Sequence, residues 1–213
     1  MTVQEVVGVV DRSGSMRGKE DDTVGGINAA FDEIRKNKGE DDLIRVSLKL
    51  FDHEELMKWR CQDIDTVGEF PVSEFVPRGS TALLDAMGHT LTYFMEKKLR
   101  EPEAYDTCLI YVVTDGLENA SSKYTALQIK ELIKNAADVY KITVVYLGAN
   151  QDAILTAGNL GINANHAINY NENQTATRAV YRSVGRMATD CRHNRSDDVE
   201  FSNAERQASQ TPS

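Results

Sequence analysis

The stretch Val6-Val7-Gly8-Val9-Val10-Asp11-Arg12-Ser13-Gly14-Ser15-Met16 constrains this chain more than any other. Its first half is a continuous apolar run, the pattern of a strand buried on both faces, and such strands belong to parallel sheets covered by helices. The run stops abruptly at Asp11, and Ser13 and Ser15 follow at every second residue. Gly14 is expected to let the backbone curl so that the three side-chain oxygens converge. A strand running into such a loop reads as half of a cation site built from oxygen alone. With neither thiolate nor imidazole among the donors, the fitting ion is a hard divalent cation such as Mg2+.

The rest of the chain alternates strands with helices. Val24, Ile27, Phe31 and Ile34 form one apolar stripe and predict a helix over residues 19–38. Ile44, Val46, Leu48 and Leu50 alternate with more polar positions, which predicts a strand over 44–51. Residues 56–61 read as an antiparallel edge strand, where charge and Trp59 can sit half exposed. Residues 62–79 are irregular, and Arg78-Gly79-Ser80-Thr81 leads into a helix striped by Leu84, Met87, Leu91 and Phe94. A second buried strand, 109–114, ends in Asp115-Gly116, and further strands are expected at 142–147 and 166–170. Helices are expected at 124–140, 152–160 and 174–191. This order predicts an α/β fold: a doubly wound, mostly parallel sheet with one antiparallel edge strand and helices on both faces. Residues 1–192 form the domain, and 193–213 form a polar tail expected to be mobile or loosely docked.

Composition excludes several classes. The net charge of −9 argues against a nucleic-acid binder, which needs a basic balance or stripe. No apolar run reaches the roughly 18 residues of a membrane helix, and the N-terminus has no basic region, so the expected location is cytoplasmic, without insertion into a membrane. Cys61, Cys108 and Cys191 are odd in number and far apart, the pattern of free, mostly buried thiols in a reducing compartment. Without a secretory signal, the Asn-x-Ser/Thr matches at Asn119, Asn173 and Asn194 read as chance.

In a doubly wound sheet, ligands bind beyond the C-terminal strand ends where strand order reverses. If the strands ending in Asp11 and Asp115 are neighbours there, Ser13, Ser15 and the loop hydroxyl of Thr81 can join their carboxylates around one ion. Asp11-x-Ser13-x-Ser15, Thr81 in a Gly-Ser-Thr loop and Asp115 in Thr-Asp-Gly resemble the metal-ion-dependent adhesion site of von Willebrand factor type A domains. The resemblance spans roughly residues 3–192 and implies the Rossmann-like version of the fold described above. It implies that Asp11, Ser13, Ser15, Thr81 and Asp115 hold Mg2+, Mn2+ or Ca2+. It further implies a protein partner that completes the coordination with an Asp or Glu side chain, and no enzymatic activity.

The competing reading is a Mg2+-dependent phosphatase or phosphotransferase that uses Asp11 as nucleophile. Dehalogenase-like enzymes carry Asp-x-Asp at that place, whereas this chain has Asp11-Arg12-Ser13 and so lacks the second acid for proton transfer. No glycine-rich phosphate loop follows a strand. Asp85 reads as an acid placed favourably near a helix N-terminus, and Glu118 and Asn119 as ties that fix a loop. Arg12, Arg17, Lys19 and Arg78 all fall on the two loops expected around the ion, and they suggest a basic rim that steers an acidic partner.

Overall fold

The computed structural model describes residues 1–149, 152–193 and 199–212. Its strands are β1 (Val3–Asp11), β2 (Leu43–Phe51), β3 (Glu55–Asp63), β4 (Thr107–Thr114), β5 (Ile142–Ala149) and β6 (Ala167–Tyr170). They form one sheet in the order β3-β2-β1-β4-β5-β6. All neighbours pair in parallel except β3, which runs antiparallel to β2 at the edge. The helices are α1 (Glu20–Lys36), α2 (Leu83–Arg100), α3 (Ala126–Tyr140), α4 (Ala153–Asn159), α5 (Gln174–Arg192) and α6 (Asn203–Ala208).

Alternation along the central strands sends side chains into two cores. Val6 and Val10 of β1 join Tyr111 and Val113 of β4 on one face, under Ile27 and Phe31 of α1 and Val184 of α5. Val7, Val9, Ile110 and Val112 point to the other face, under Met87 and Phe94 of α2 and Ile129 of α3. Both faces of β1 are therefore dry, which explains its unbroken apolar run. Gly8 interrupts the valines because Tyr111 lies opposite it on β4. A Cβ on Gly8 would come within 2.5 Å of the Tyr111 hydroxyl.

The C-terminal residues depart from the polar, loosely docked tail expected from composition. Val199 and Phe201 are buried against the core on the α1 and α5 side. Arg206 stacks over the Phe201 ring at 5.8 Å and donates to the Ala167 carbonyl at 2.9 Å. Arg186 of α5 donates to both carboxylate oxygens of Glu205, at 2.8 and 2.9 Å. Ser202 and Glu205 form a reciprocal capping box at the start of α6. Two apolar residues and a handful of directed polar bonds suffice to dock this segment, and a compositional average cannot register them. Asn119 and Asn173 spend their side chains on the backbone, accepting from Thr81 N and Ala176 N at 2.9 Å each; the Asn194 match lies outside the described residues. Among the described residues no helix is long and apolar enough to cross a membrane.

If Phe201 anchors the C-terminal segment, Phe201→Ala lowers unfolding stability by about 3 kcal/mol, read from the urea midpoint at constant slope.

Candidate metal centre

Strand order reverses between β1 and β4, and the ends of these two strands carry the site. Asp11, the last residue of β1, is fully buried. Its Oδ1 accepts from Ser13 N at 2.6 Å, and its Oδ2 accepts from the Thr114 hydroxyl at 2.6 Å. Burial pushes its pKa upward, against the pull of the Thr114 and Ser13 hydrogen bonds. The backbone then winds into a short 3-10 turn, Gly14–Met16, pinned by buried Met16. That turn brings the Ser13 and Ser15 hydroxyls to 3.1 Å, and Ser15 Oγ donates to Asp115 Oδ1 at 2.6 Å. Gly14 is not among the glycines of positive φ, which are Gly18, Gly79 and Gly161. It serves instead a close approach of two loops: its N–H donates to the Gly79 carbonyl at 3.1 Å, and a Cβ built on it would lie 3.3 Å from that oxygen.

Thr81 arrives from the loop before α2. It does not cap that helix, because the first amides are satisfied from the β4–α3 loop: Leu84 N donates to Glu118 Oε2 at 2.9 Å, and Asp85 N to Ser121 Oγ at 3.0 Å. The Thr81 backbone is tied to the same loop through Asn119 Oδ1 at 2.9 Å and the amides of Asn119 and Ala120 at 3.1 and 3.2 Å. Its hydroxyl is thus left for other work. A Cβ built on Gly116 would lie 3.4 Å from Thr81 Oγ1 and 3.5 Å from Ser15 Oγ, so these two hydroxyls flank Gly116 beside Asp115. The five residues singled out from the sequence meet in one crevice. Asp85 accepts from the amides of Ser122, Lys123 and Tyr124 at 2.8 to 2.9 Å. Although burial opposes it, these three N–H groups hold the Asp85 pKa below the ordinary value.

Three of the four cations expected to form a basic rim are engaged in ion pairs. Arg12 is buried, with Nε 2.9 Å from Asp52 Oδ2. Arg78 Nε donates to the same oxygen at 3.0 Å, and its other end meets Glu54. Lys19 bridges Asp115 and Glu172. Of the four cations, only Arg17 makes no ion pair among the described residues. Asp52, the residue after β2, is fully buried and knits three loops together. Besides the two arginines, its carbonyl accepts from Ala82 N at 2.8 Å. Gly79 completes this lacing with φ +67, where a Cβ would sit 2.1 Å from His53 Nδ1. Asp52, His53 and Glu54 bring potential ligand atoms within 4.8 Å of one another. Their carboxylates are already engaged by Arg12 and Arg78, so this cluster is a structural knot. Its one sequence signal was a further strand ending in Asp; Thr114 lies in the Thr-Asp-Gly motif, and Glu172 carried no signal.

The donor set fits a hard divalent cation: two carboxylates, three hydroxyls and no softer atom. Asp11 and Asp115 supply the charge, while Ser13, Ser15 and Thr81 supply neutral oxygen. Ser15 is exposed, so the crevice opens to solvent.

No protein-family model matches the chain, and no curated protein sequence matches it. Solved structures do. Proximal thread matrix protein 1 from the mussel byssus matches with a TM-score of 0.63 at 13% identity, over 88% of this chain and 46% of that one. This chain therefore spans less than half of the mussel protein, a further structure of which is described as having a zinc-occupied MIDAS motif. The von Willebrand factor domain of the pilus tip protein Mfa5 from Porphyromonas gingivalis matches with a TM-score of 0.59 at 11% identity, over 95% of this chain and 98% of that one. Manganese-loaded TRAP protein of Plasmodium vivax matches with a TM-score of 0.57 at 16% identity, over 80% and 69% of the two chains. The fold is the von Willebrand factor type A fold.

Asp52→Ala strips two arginines of their shared carboxylate, one of them buried. The expected loss is about 3–5 kcal/mol in chemical denaturation, with a milder loss when Arg12 is replaced by Met in the same chain.

Proposed function

We propose that this chain is a non-enzymatic, divalent-cation-dependent protein-binding module. The observation that carries the reading is the Asp11 carboxylate: fully buried, and without an ion pair among the described residues. A buried charge is tolerated when it is paired or holds a metal. Asp52, equally buried, has its arginines; Asp11 has the Ser13 amide and the Thr114 hydroxyl instead, with Asp115 as a neighbouring like charge. The metal-loaded states of the mussel and Plasmodium proteins on the same fold support the choice of ligand class.

In this reading Ser13, Ser15, Thr81, Asp11 and Asp115 hold Mg2+, Mn2+ or Ca2+, the carboxylates acting directly or through water. When bound, the cation supplies an electrophilic point that an Asp or Glu of a protein partner can reach. The chain's own part is preorganisation. Thr114 and Ser13 N orient Asp11, Ser15 steers Asp115, and Asn119 and Glu118 fix the Thr81 loop. The phosphatase reading is disfavoured by the residue two places after Asp11. Dehalogenase-like enzymes need a second acid two residues after the nucleophile for proton transfer, and this chain has Ser13 there.

Calorimetric titration tests the reading directly. Mg2+ or Mn2+ is expected to bind the wild-type chain, and Ser13→Ala with Ser15→Ala is expected to abolish binding while leaving the circular dichroism spectrum unchanged. At a cation concentration about 100 times the Kd, the folded state gains about 2.7 kcal/mol, a rise in Tm of about 5–10 °C. Capture of a protein partner must be lost with EDTA and with the double variant. Capture indifferent to both would show that partner binding does not use this crevice, and the protein-binding half of the reading would fall.

A further inference from the structure

Lys19 sits at the end of the loop that begins with Asp11, in the position just before α1, with a non-helical backbone at φ −114 and ψ 7. Its side chain is one-quarter exposed, and its ammonium donates to Asp115 Oδ2 and to Glu172 Oε1. The Asp115 carboxylate is thereby divided. Oδ1 takes the Ser15 hydroxyl inside the crevice, and Oδ2 takes the ammonium beside it.

Glu172 is held in place independently. It lies between β6 and α5, and both its neighbours are strapped by the C-terminal segment. Asn171 N donates to the Ser209 carbonyl at 2.9 Å and Asn171 Nδ2 to the Gln210 carbonyl at 2.9 Å. Asn173 Nδ2 donates to the Thr211 carbonyl at 2.9 Å, while its Oδ1 caps α5. The second anchor of Lys19 is therefore a rigid part of the fold rather than a passing surface acid.

We propose that Lys19 is a resident counter-ion of this site: it holds Asp115 in the cation-free protein and competes with a divalent cation for the same carboxylate. The inference rests on the metal-binding reading above. Without an ion, Asp11 and Asp115 are like charges in one crevice, and the ammonium offsets the second of them. With an ion present, the same ammonium is a positive charge on a carboxylate that the cation also needs. Charges separated by a few ångströms in a partly buried site interact strongly, so its removal changes affinity by about tenfold or more. Lys19 thus trades cation affinity for stability of the empty site.

The test is a Mn2+ titration of the full chain by calorimetry, together with Tm in EDTA, on wild type, Lys19→Met and Lys19→Arg. Lys19→Met is expected to bind Mn2+ at least about tenfold more tightly and to melt below wild type in EDTA. Lys19→Arg, which keeps the charge, is expected to bind as wild type does. Wild-type binding accompanied by equal or weaker binding of Lys19→Met overturns the counter-ion and leaves the metal reading intact. An unchanged Tm in EDTA overturns it as well. No Mn2+ binding by wild type and Lys19→Met alike overturns the metal reading, and the counter-ion with it. If Lys19→Met does not fold, Glu172→Gln serves instead. Lys19 then rests on Asp115 alone, and Mn2+ must bind about tenfold more weakly; unchanged affinity overturns the proposal.

Discussion

A buried carboxylate at the C-terminal end of β1, without an ion pair among the described residues, is the constraint around which the rest of this molecule is arranged. Three aspartates stand at the ends of adjacent strands β2, β1 and β4, and each is handled differently. Asp52 receives two guanidinium groups, Asp115 receives an ammonium and a hydroxyl, and Asp11 receives an amide and a hydroxyl only. Burial raises the cost of ionising Asp11, and its two hydrogen bonds offset only part of that cost. Among the described residues, Asp11 is a fully buried acid that no ion pair neutralises.

What surrounds that point is rigid for traceable reasons. Parallel pairing of β1 with β4 fixes the separation of the two acidic strand ends, and both cores lock that pairing from above and below. The loops beyond the strands have no ladder to hold them, so polar side chains do it instead. Asp52 ties the first loop to the one before α2; Glu118, Asn119 and Ser121 tie that loop to the one after β4. Because the α2 amides are capped from the neighbouring loop, the Thr81 hydroxyl is not spent as a cap. A site of hydroxyls and carboxylates needs this support, since each donor alone would prefer water.

The Lys19 and Glu172 pair extends the same logic to the far side of Asp115. It links the crevice to the β6–α5 connection, and through Asn171 and Asn173 to the docked C-terminal segment. Three of the four cations that sequence proximity suggested as a steering rim are spent in ion pairs. Their charge is consumed by acids that lie far away in sequence and adjacent in space.

The sequence by itself determined the fold class, the order of its elements through α5 and the five residues that gather at the strand ends. Each of these rests on a local pattern: apolar runs for strands buried on both faces, striped helices between them, and oxygen-bearing side chains immediately after a strand. Only the tertiary structure decided which charges are free and which are spent. Arg12, Lys19 and Arg78 read as equivalent surface cations until Asp52 and Glu172 are brought beside them by chain crossings of many residues. Val199 and Phe201 lie in a segment whose composition reads as a polar tail, and they count only once a core is there to receive them. Periodicity reports what an element needs from its surroundings, whereas pairing between distant residues depends on where the sheet order and the loops place them.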